Sequence, residues 1–594
     1  MGGYQKQVLR INLSDLTIAV EPLNMETAQL YLGGRGLGAK YLYDEISQGI
    51  DPLSADNKII FATGILTGTP APTAGRYMVV TKSPLSGTIA SSNSGGHWGN
   101  ELKRAGYDIV IVEGKSSTPV YIYINNQQVE IRSAEAYWGS LVSEATNRLV
   151  NDIGDPKARV LAIGPAGEKM SLISAVINEY DRAAARNGVG AVMGSKNLKA
   201  IVVRGTNQVA VADKGRFGEA VQRIMQKIRE NDITGRELPS FGTSALAALN
   251  YETNECTQVS GKEDPTSSTQ MLVRESGNLQ AQKDPCARCP IACGRYYKGD
   301  EIEGVGPEYA SIRSYNVNCG IMDMDTIFRL NKLCNEMGLD TISAGATLSA
   351  AMELYNRGHI TREELDGPEL LWGDGASVLE WTRKIGASEG FGAKMAMGSA
   401  RLCAEYGCPE LSVTVKGQEV PKYEKQSIQG IGIHLATSNR GGCNMRGNMI
   451  APEALGLADK VDITTEQGKV IWAKTFQNFT AAADSLGICL FTSFALTIQD
   501  YVDLYNATSG KQSSIEDFLH CGDRIWNLER MFNLREGYTA TDDRLPKQVL
   551  EDAYADTSEK DTILKKMLTI YYQVRGWNEA GIPTHETQKS LQII

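Results

Sequence analysis

The feature that most constrains this fold is a change of hydrophobic period near residue 210. Up to about residue 208 glycines cut the chain into short β-branched runs: VLRINL, KIIFATG, YMVVTK, DIVIVEG, PVYIYI, RVLAIG and KAIVVRG. Branched side chains pack well on a pleated surface, so these runs predict strands. One amphipathic stretch, Leu141 to Ile153, predicts a helix that stops at Gly154-Asp155-Pro156, where glycine takes the left-handed turn and proline cannot continue the ladder. From about Asp213 the period becomes helical, with segments near 215–230, 323–336, 341–357, 376–386, 391–406, 465–483, 514–533 and 560–573. Strands first and helices afterwards predict an α+β fold rather than an alternating α/β one. A chain of 594 residues, 42% of them apolar, can bury several cores. We therefore expect a β-rich N-terminal domain (1–208) followed by two mainly α-helical domains (209–412 and 413–594).

Charge and the N-terminus exclude several classes. The formal charge is −10 with no sustained Lys/Arg block, which gives no footprint for nucleic acid. The opening MGGYQKQVLRINLSDL lacks the basic and apolar regions of a secretory signal, and no stretch approaches the roughly 20 apolar residues that span a bilayer. MGGYQK lacks the Ser or Thr of a myristoylation signal. A cytoplasmic protein with no membrane span is expected. In a reducing compartment the 11 cysteines should be free thiols or metal ligands. Cys256, Cys319, Cys334, Cys403, Cys408, Cys443 and Cys521 are scattered and read as small core residues.

The remaining cysteines are not scattered. K-D-P-C-A-R-C-P-I-A-C-G-R sets Cys286, Cys289 and Cys293 at CxxCxxxC spacing, which lets three thiolates converge beside one tight turn. Pro285 and Pro290 prevent a regular helix and free backbone N–H groups to point at sulfur. The alternative, a zinc knuckle, needs a fourth Cys or His nearby, and none follows within the next 25 residues. A cluster needs a distant fourth ligand, and Cys489 in D-S-L-G-I-C-L-F is the best candidate.

Four loops that couple glycines to a polar or cationic side chain suit backbone contact with a bulky anionic cofactor: T-A-G-R-Y (73–77), N-S-G-G-H-W-G (93–99), D-R-A-A-A-R-N-G-V-G (181–190) and N-R-G-G-C-N-M-R-G (439–447). Glycine lets N–H groups approach phosphates, and arginine supplies a planar fork of donors. None of them is a dinucleotide fingerprint or a Walker loop. N-E-M-G-L-D and D-S-L-G-I-C end helical stretches at a glycine and present Asp340 and Asp484 there. A carboxylate there can accept paired N–H bonds from a pterin edge, although Asp340 can equally cap the following helix.

Together these segments, with R-Y-M-V-V-T-K-S-P-L-S-G, G-P-A-G-E, G-V-G-A-V-M-G-S-K-N-L-K-A, G-P-E-Y and M-G-L-D-T-I-S, resemble the tungsten-containing aldehyde:ferredoxin oxidoreductases from end to end. The resemblance implies a tungsten (or molybdenum) bis-molybdopterin, one 4Fe-4S cluster, Mg2+ bridging the pterin phosphates, and a cofactor-binding N-terminal domain covered by the two helical ones. It implies pterin contacts from Arg76, Asn93, Gly95, Arg182, Ala183, Asn335, Asp340, Arg446 and Asp484, and cluster ligation by Cys286, Cys289, Cys293 and Cys489. It also implies oxidation of an aldehyde, a small-molecule substrate, with electrons passed to ferredoxin or an iron–sulfur electron-transfer subunit. A homodimer stays open. Docking of an acidic partner would use Arg288, Arg295 and Lys298.

Two positions depart from the family pattern. Ala310 stands where aldehyde-oxidising members carry Glu, and Asn444 where they carry His; neither is a useful proton acceptor. Asn335 replaces a frequent Asp, and Arg329 and Lys332 lie where some members place an acidic ligand of an intersubunit metal. His97 and His434, in loops expected to border the site, and Glu308 are the candidate replacement proton carriers, with Tyr309 and Cys319 weaker. If none serves, a different low-potential substrate follows, an activated carbonyl or aromatic thioester. A non-catalytic electron-transfer or scaffold subunit is the remaining alternative.

Overall fold

The computed structural model describes residues 1–246, 281–298, 303–421, 429–447, 462, 464–553 and 558–594. Twelve N-terminal strands form two mixed six-stranded sheets. The first holds β1 (Gln7–Asn12), β2 (Thr17–Pro22), β3 (Ile59–Thr63), β4 (Tyr77–Lys82), β5 (Ile89–Ser94) and β6 (Ile109–Glu113) in the order β2-β1-β6-β3-β4-β5. The second holds β7 (Val120–Asn125), β8 (Gln128–Ser133), β9 (Arg159–Ala162), β10 (Val176–Asn178), β11 (Arg182–Ala184) and β12 (Leu198–Arg204) in the order β11-β10-β9-β12-β7-β8. All seven β-branched runs are strands, and the expected helix is Val142–Ile153, ended by Gly154 at φ 72°.

Strand β5 did not stand out in the sequence because IASSNS is polar, yet five of its six residues are buried. Its serines are satisfied by the cavity wall rather than by water. Ser92 Oγ donates to the Arg186 carbonyl, and Ser94 Oγ donates to Asn178 at 2.8 Å. Helix Gly34–Glu45 was also hidden, because its three glycines argue against helix. They are there for close approach: a Cβ on Gly34 would lie 2.5 Å from the Asp484 carbonyl, and one on Gly36 2.1 Å from that of Tyr31.

Beyond residue 213 the chain is mainly helical, and the architecture is the α+β arrangement expected. The segment near 391–406 is two helices, Phe391–Met395 and Ser399–Glu405, broken at Gly398, whose φ of 86° no helix accommodates. The apolar cores do not follow chain order. Helices Lys214–Glu230, Glu466–Leu486, Ile498–Ser509 and Ile515–Arg535 share one apolar core with the face of the first sheet. The inner faces of both sheets form a second core, and the helices between Tyr309 and Glu405 form a third. Cys319, Cys334, Cys403, Cys408, Cys443 and Cys521 are buried free thiols, while Cys256 lies outside the described residues. Among the described residues no helix is long and apolar enough to cross a membrane.

Candidate active site

A cavity of about 360 Å3 opens where β5 and β11 meet the helix Met324–Met337, the start of helix Thr341–Asn356 and the loops around residues 440–446 and 484–491. All nine residues expected to contact a pterin, Arg76, Asn93, Gly95, Arg182, Ala183, Asn335, Asp340, Arg446 and Asp484, line it.

Asp340 is the helix cap and also lines the cavity. Its carboxylate caps helix Thr341–Asn356, accepting from the Ile342 N–H at 3.0 Å and from Ser343 Oγ at 2.8 Å, and it also pairs with Arg186 Nε at 3.1 Å. Asp484 leaves the end of helix Glu466–Leu486, where Gly487 at φ 80° turns the chain back. A Cβ on Gly487 would meet Thr67 Oγ1 at 2.3 Å, so only glycine lets the Cys489 segment return under the N-terminal loops. Asn93 Nδ2 donates to Asp484 Oδ1 at 3.2 Å, joining the two halves of the wall.

Asp484 and Arg446 belong to a buried charge quartet completed behind the wall by Arg35 and Glu529. Arg35 donates to both Glu529 oxygens, at 2.7 and 2.6 Å, and sits 3.5 Å from Asp484; Arg446 lies 3.9 Å from Asp484 and 3.8 Å from Glu529. Burial alone would raise the Glu529 pKa, but Arg35 holds it below the ordinary carboxylate value. Burial, followed by repulsion from Arg35 and Arg440, drags Arg446 down to about 9. A wall that carries Arg182, Arg186, Arg440 and Arg446 and depresses one of its own arginines favours an anion. That charge balance fits the phosphate ends of a pterin cofactor. Arg35, Arg186, Arg440 and Glu529 were not singled out in the sequence. Arg186 and Arg440 lie in quoted loops and Arg35 in the similar L-G-G-R-G-L-G, whereas Glu529, in mid-helix, gave no signal.

A second, smaller cavity adjoins the first and is lined by Cys286, Cys289, Cys293 and Cys489 together with Arg76, Gly95 and Phe491. The CxxCxxxC loop is irregular, with Arg288 and Ala292 at φ 53° and 47°. The freed N–H groups of Ile291 and Ala292 reach the Cys289 sulfur. The loop is sewn to the N-terminal domain by Ala287 N–H to the Gly96 carbonyl and Thr73 N–H to the Arg288 carbonyl, both at 3.1 Å. Burial first, and then the neighbouring Cys489, pushes Cys289 up to about 12; burial, Glu308 and Cys489 push Cys293 up as well. Cys289 and Cys293, disfavoured as isolated thiolates, suit a shared cationic centre. Among the described residues no group of three or more His, Cys, Asp or Glu is placed to hold a single metal ion. Arg76 joins the two cavities: Nη1 donates to Asn93 Oδ1 at 3.0 Å and Nη2 to Cys489 Sγ at 3.2 Å.

The proton-carrier candidates separate. Glu308 stands exposed at the cavity wall, accepting from Thr243 Oγ1, and Ala310 lies beside it. His97 does not border the cavity; it is an exposed residue at the start of helix Trp98–Ala105 whose backbone N–H binds Glu179. His434 is not in a loop. It lies buried in helix Gln429–Thr437, 2.7 Å from the Cys443 carbonyl through Nε2 and 3.2 Å from Gln477 through Nδ1. A carbonyl accepts only from N–H, so Nε2 is protonated and Nδ1 accepts from the Gln477 amide. Burial takes the ring down to about 3 and keeps it neutral. His434 therefore braces the 443–446 loop from behind. Asp181, missed in the sequence, lines the cavity and is pushed up to about 7, burial outweighing Arg182. Arg295 is also corrected: it is buried and spends its guanidinium on the carbonyls of Ala292, Gly294 and Leu238, so only Arg288 and Lys298 of that trio are exposed.

A large cation-lined chamber sharing an arginine with a ring of four thiols is the plan of a redox enzyme that handles a bulky anionic group. Family models agree: "Aldehyde ferredoxin oxidoreductase, N-terminal domain" matches residues 8–205 and "Aldehyde ferredoxin oxidoreductase, domains 2 & 3" matches residues 219–593. The chain belongs to the aldehyde ferredoxin oxidoreductase family, a family of tungsten enzymes whose members imply a tungsten–pterin cofactor. The tungsten-containing aldehyde ferredoxin oxidoreductases of Pyrococcus horikoshii and Pyrococcus furiosus are each 46% identical to it, over 100% of this chain and 99% of their own. A solved chain described as the active site complex BamBC of benzoyl coenzyme A reductase with 1,5 dienoyl-CoA superposes with a TM-score of 0.85 at 25% identity, over 100% of this chain and 97% of that one.

Proposed function

We propose that this protein oxidises an aldehyde to a carboxylic acid, or runs the reverse, and passes the electrons singly to ferredoxin or an iron–sulfur partner. The observation that carries the reading is the junction at Arg76, where one guanidinium faces both the cation-lined chamber and the four thiols. When bound, a tungsten bis-pterin supplies two-electron exchange with substrate, and a 4Fe-4S cluster supplies the single-electron exit. Arg182, Arg186, Arg440 and Arg446 would hold the phosphate ends, with Mg2+ as added counter-charge, while Asp340, Asp484 and Asn93 orient the pterin edges. Cys286, Cys289, Cys293 and Cys489 would hold the cluster, and a reducing, cytoplasmic setting would keep them available. Glu308 and Asp181 are the carboxylates placed to move a proton to or from substrate, in the absence of the Glu and His that Ala310 and Asn444 replace.

A second reading has its own support. Ala310 lines the chamber with a methyl group in place of a carboxylate, and the structural neighbour named above is a benzoyl coenzyme A reductase, which acts on an aromatic thioester. An activated carbonyl or aromatic thioester would then be the substrate. Anaerobic viologen reduction with a panel of aliphatic and aromatic aldehydes, set against reductive turnover of aromatic CoA thioesters, separates the two. Aldehyde-dependent reduction supports the first reading; thioester turnover without it replaces the first by the second.

A further inference from the structure

Helix Thr341–Asn356 begins at the cavity, and helix Ser399–Glu405 is tied to its first turn. Asp340 caps the first, and the N–H of Ser399 in the second binds Glu419, which itself accepts from Ser343. The first runs about 24 Å from there at 1.5 Å per residue, and at the far end of the pair lies a group of side chains that the redox site does not use.

Helix Ser399–Glu405 closes in a two-bond turn: the N–H of Cys408 donates to the Cys403 carbonyl at 2.9 Å, and that of Gly407 to the Ala404 carbonyl at 3.1 Å. Gly407 takes φ 71°, and a Cβ there would meet nothing within 4 Å, so the turn faces open space. This closure brings the side chain just past the turn onto the one three residues before the helix end. Here both of those residues are cysteines. The pair is close enough for Cys408, after burial, to raise the Cys403 thiol. Cys403 is fully buried, whereas Cys408 keeps 8% of its surface. His359, exposed just beyond helix Thr341–Asn356, sets Nε2 3.4 Å and Nδ1 3.7 Å from Cys408 Sγ.

We propose that Cys408 and Cys403 form a peroxide-oxidisable dithiol, with His359 as the base for Cys408. His359 takes the Cys408 proton and the thiolate attacks a hydroperoxide. The S–O bond forms, the O–O bond breaks, and the departing hydroxide or alkoxide takes the proton back from His359. Cys408 is then a sulfenic acid, oxidised by two electrons as the peroxide is reduced. Cys403 sulfur attacks Cys408 sulfur, the S–O bond breaks, and hydroxide leaves with the Cys403 proton as water. Two thiols and one hydroperoxide thus give one disulfide, water, and water or an alcohol. The bond from the Cys408 N–H to the Cys403 carbonyl, at 2.9 Å, keeps the two residues side by side across the turn.

The test uses anaerobically purified holoenzyme titrated with hydrogen peroxide, followed by blocking of free thiols and mass analysis of the tryptic peptide Leu402–Lys416, which carries both cysteines. The expected result is a peptide lighter by two hydrogens that resists alkylation until reduced, formed about tenfold faster than any oxidation of buried Cys319 or Cys334. Cys403→Ser should leave a Cys408 sulfenic acid that dimedone traps, and His359→Gln should slow the reaction about tenfold. Full alkylation of both cysteines after peroxide, oxidation no faster than at Cys319, or a rate untouched by His359→Gln would each overturn the proposal.

Discussion

Replacing Glu529 with Gln should expose how strongly the wall behind the cavity depends on charge balance. Glu529 is fully buried and accepts two bonds from Arg35 at 2.7 and 2.6 Å and one from Asn439 at 3.3 Å. Glutamine keeps the shape but turns an amide N–H toward a guanidinium N–H. Arg35 and Arg446 are then left against Asp484 alone, at 3.5 and 3.9 Å. Breaking a buried pair in this way costs about 3–5 kcal/mol, the size that unit charges about 4 Å apart give at an effective dielectric near 20. Adding Arg35→Met restores neutrality, so the double variant should be less damaged than the sum of the two single ones by about 2 kcal/mol. A chain of several cores need not unfold in one step, so the assay is the urea midpoint of each transition together with the tungsten content of the purified protein. Glu529→Gln should lower both, since Arg35 would pull Asp484 away from Asn93. A Glu529→Gln protein as stable as wild type, or strictly additive single variants, would refute the argument.

Four further outcomes are expected. His434→Leu strands the Cys443 carbonyl and the Gln477 amide and should cost about 1–3 kcal/mol for each group, with the pH profile of turnover unchanged; lost turnover at full stability would return His434 to proton transfer. Because burial depresses His434 from 6.5 to about 3, its stabilising contribution is present above 6.5 and lost as pH falls from there toward 3, so acid titration should narrow the gap between wild type and His434→Leu. Asp181→Asn should remove a limb near pH 7 from the kcat/KM profile, where wild-type activity rises as the carboxyl ionises; an unchanged limb excludes Asp181. Ala310→Glu should raise aldehyde turnover by about a hundredfold if a missing carboxylate limits it, whereas a fall, with thioester turnover blocked, would favour the second reading.

Much of the scaffold was legible because burial wrote it into the period of the sequence. The β-branched runs from VLRINL to KAIVVRG became strands, and Val142–Ile153, Lys214–Glu230 and Ile515–Arg535 became helices near the expected residues. The failures share one cause: the local signal was set by a distant partner. The serines of β5 look like loop residues until Arg186 and Asn178 take their hydroxyls, and the glycines of Gly34–Glu45 look helix-breaking until the Asp484 backbone is laid against them. His434 looked like a loop histidine because nothing in its neighbourhood reveals that Gln477, 43 residues on, would enclose it. At the site, glycine–arginine loops and cysteine spacing carried far, since backbone approach and ligand geometry are local demands. Glu529 and Asp181 did not, because their roles depend on burial that only the assembled fold creates.

The most direct test of the central claim is anaerobic metal analysis of the purified protein beside its Cys286→Ser variant, a change at one of the four thiols ringing the smaller cavity. The wild-type chain should hold about one tungsten and about four irons with acid-labile sulfide, and the variant should lose the irons. Zinc in place of iron, or iron retained in full by Cys286→Ser, would contradict that claim.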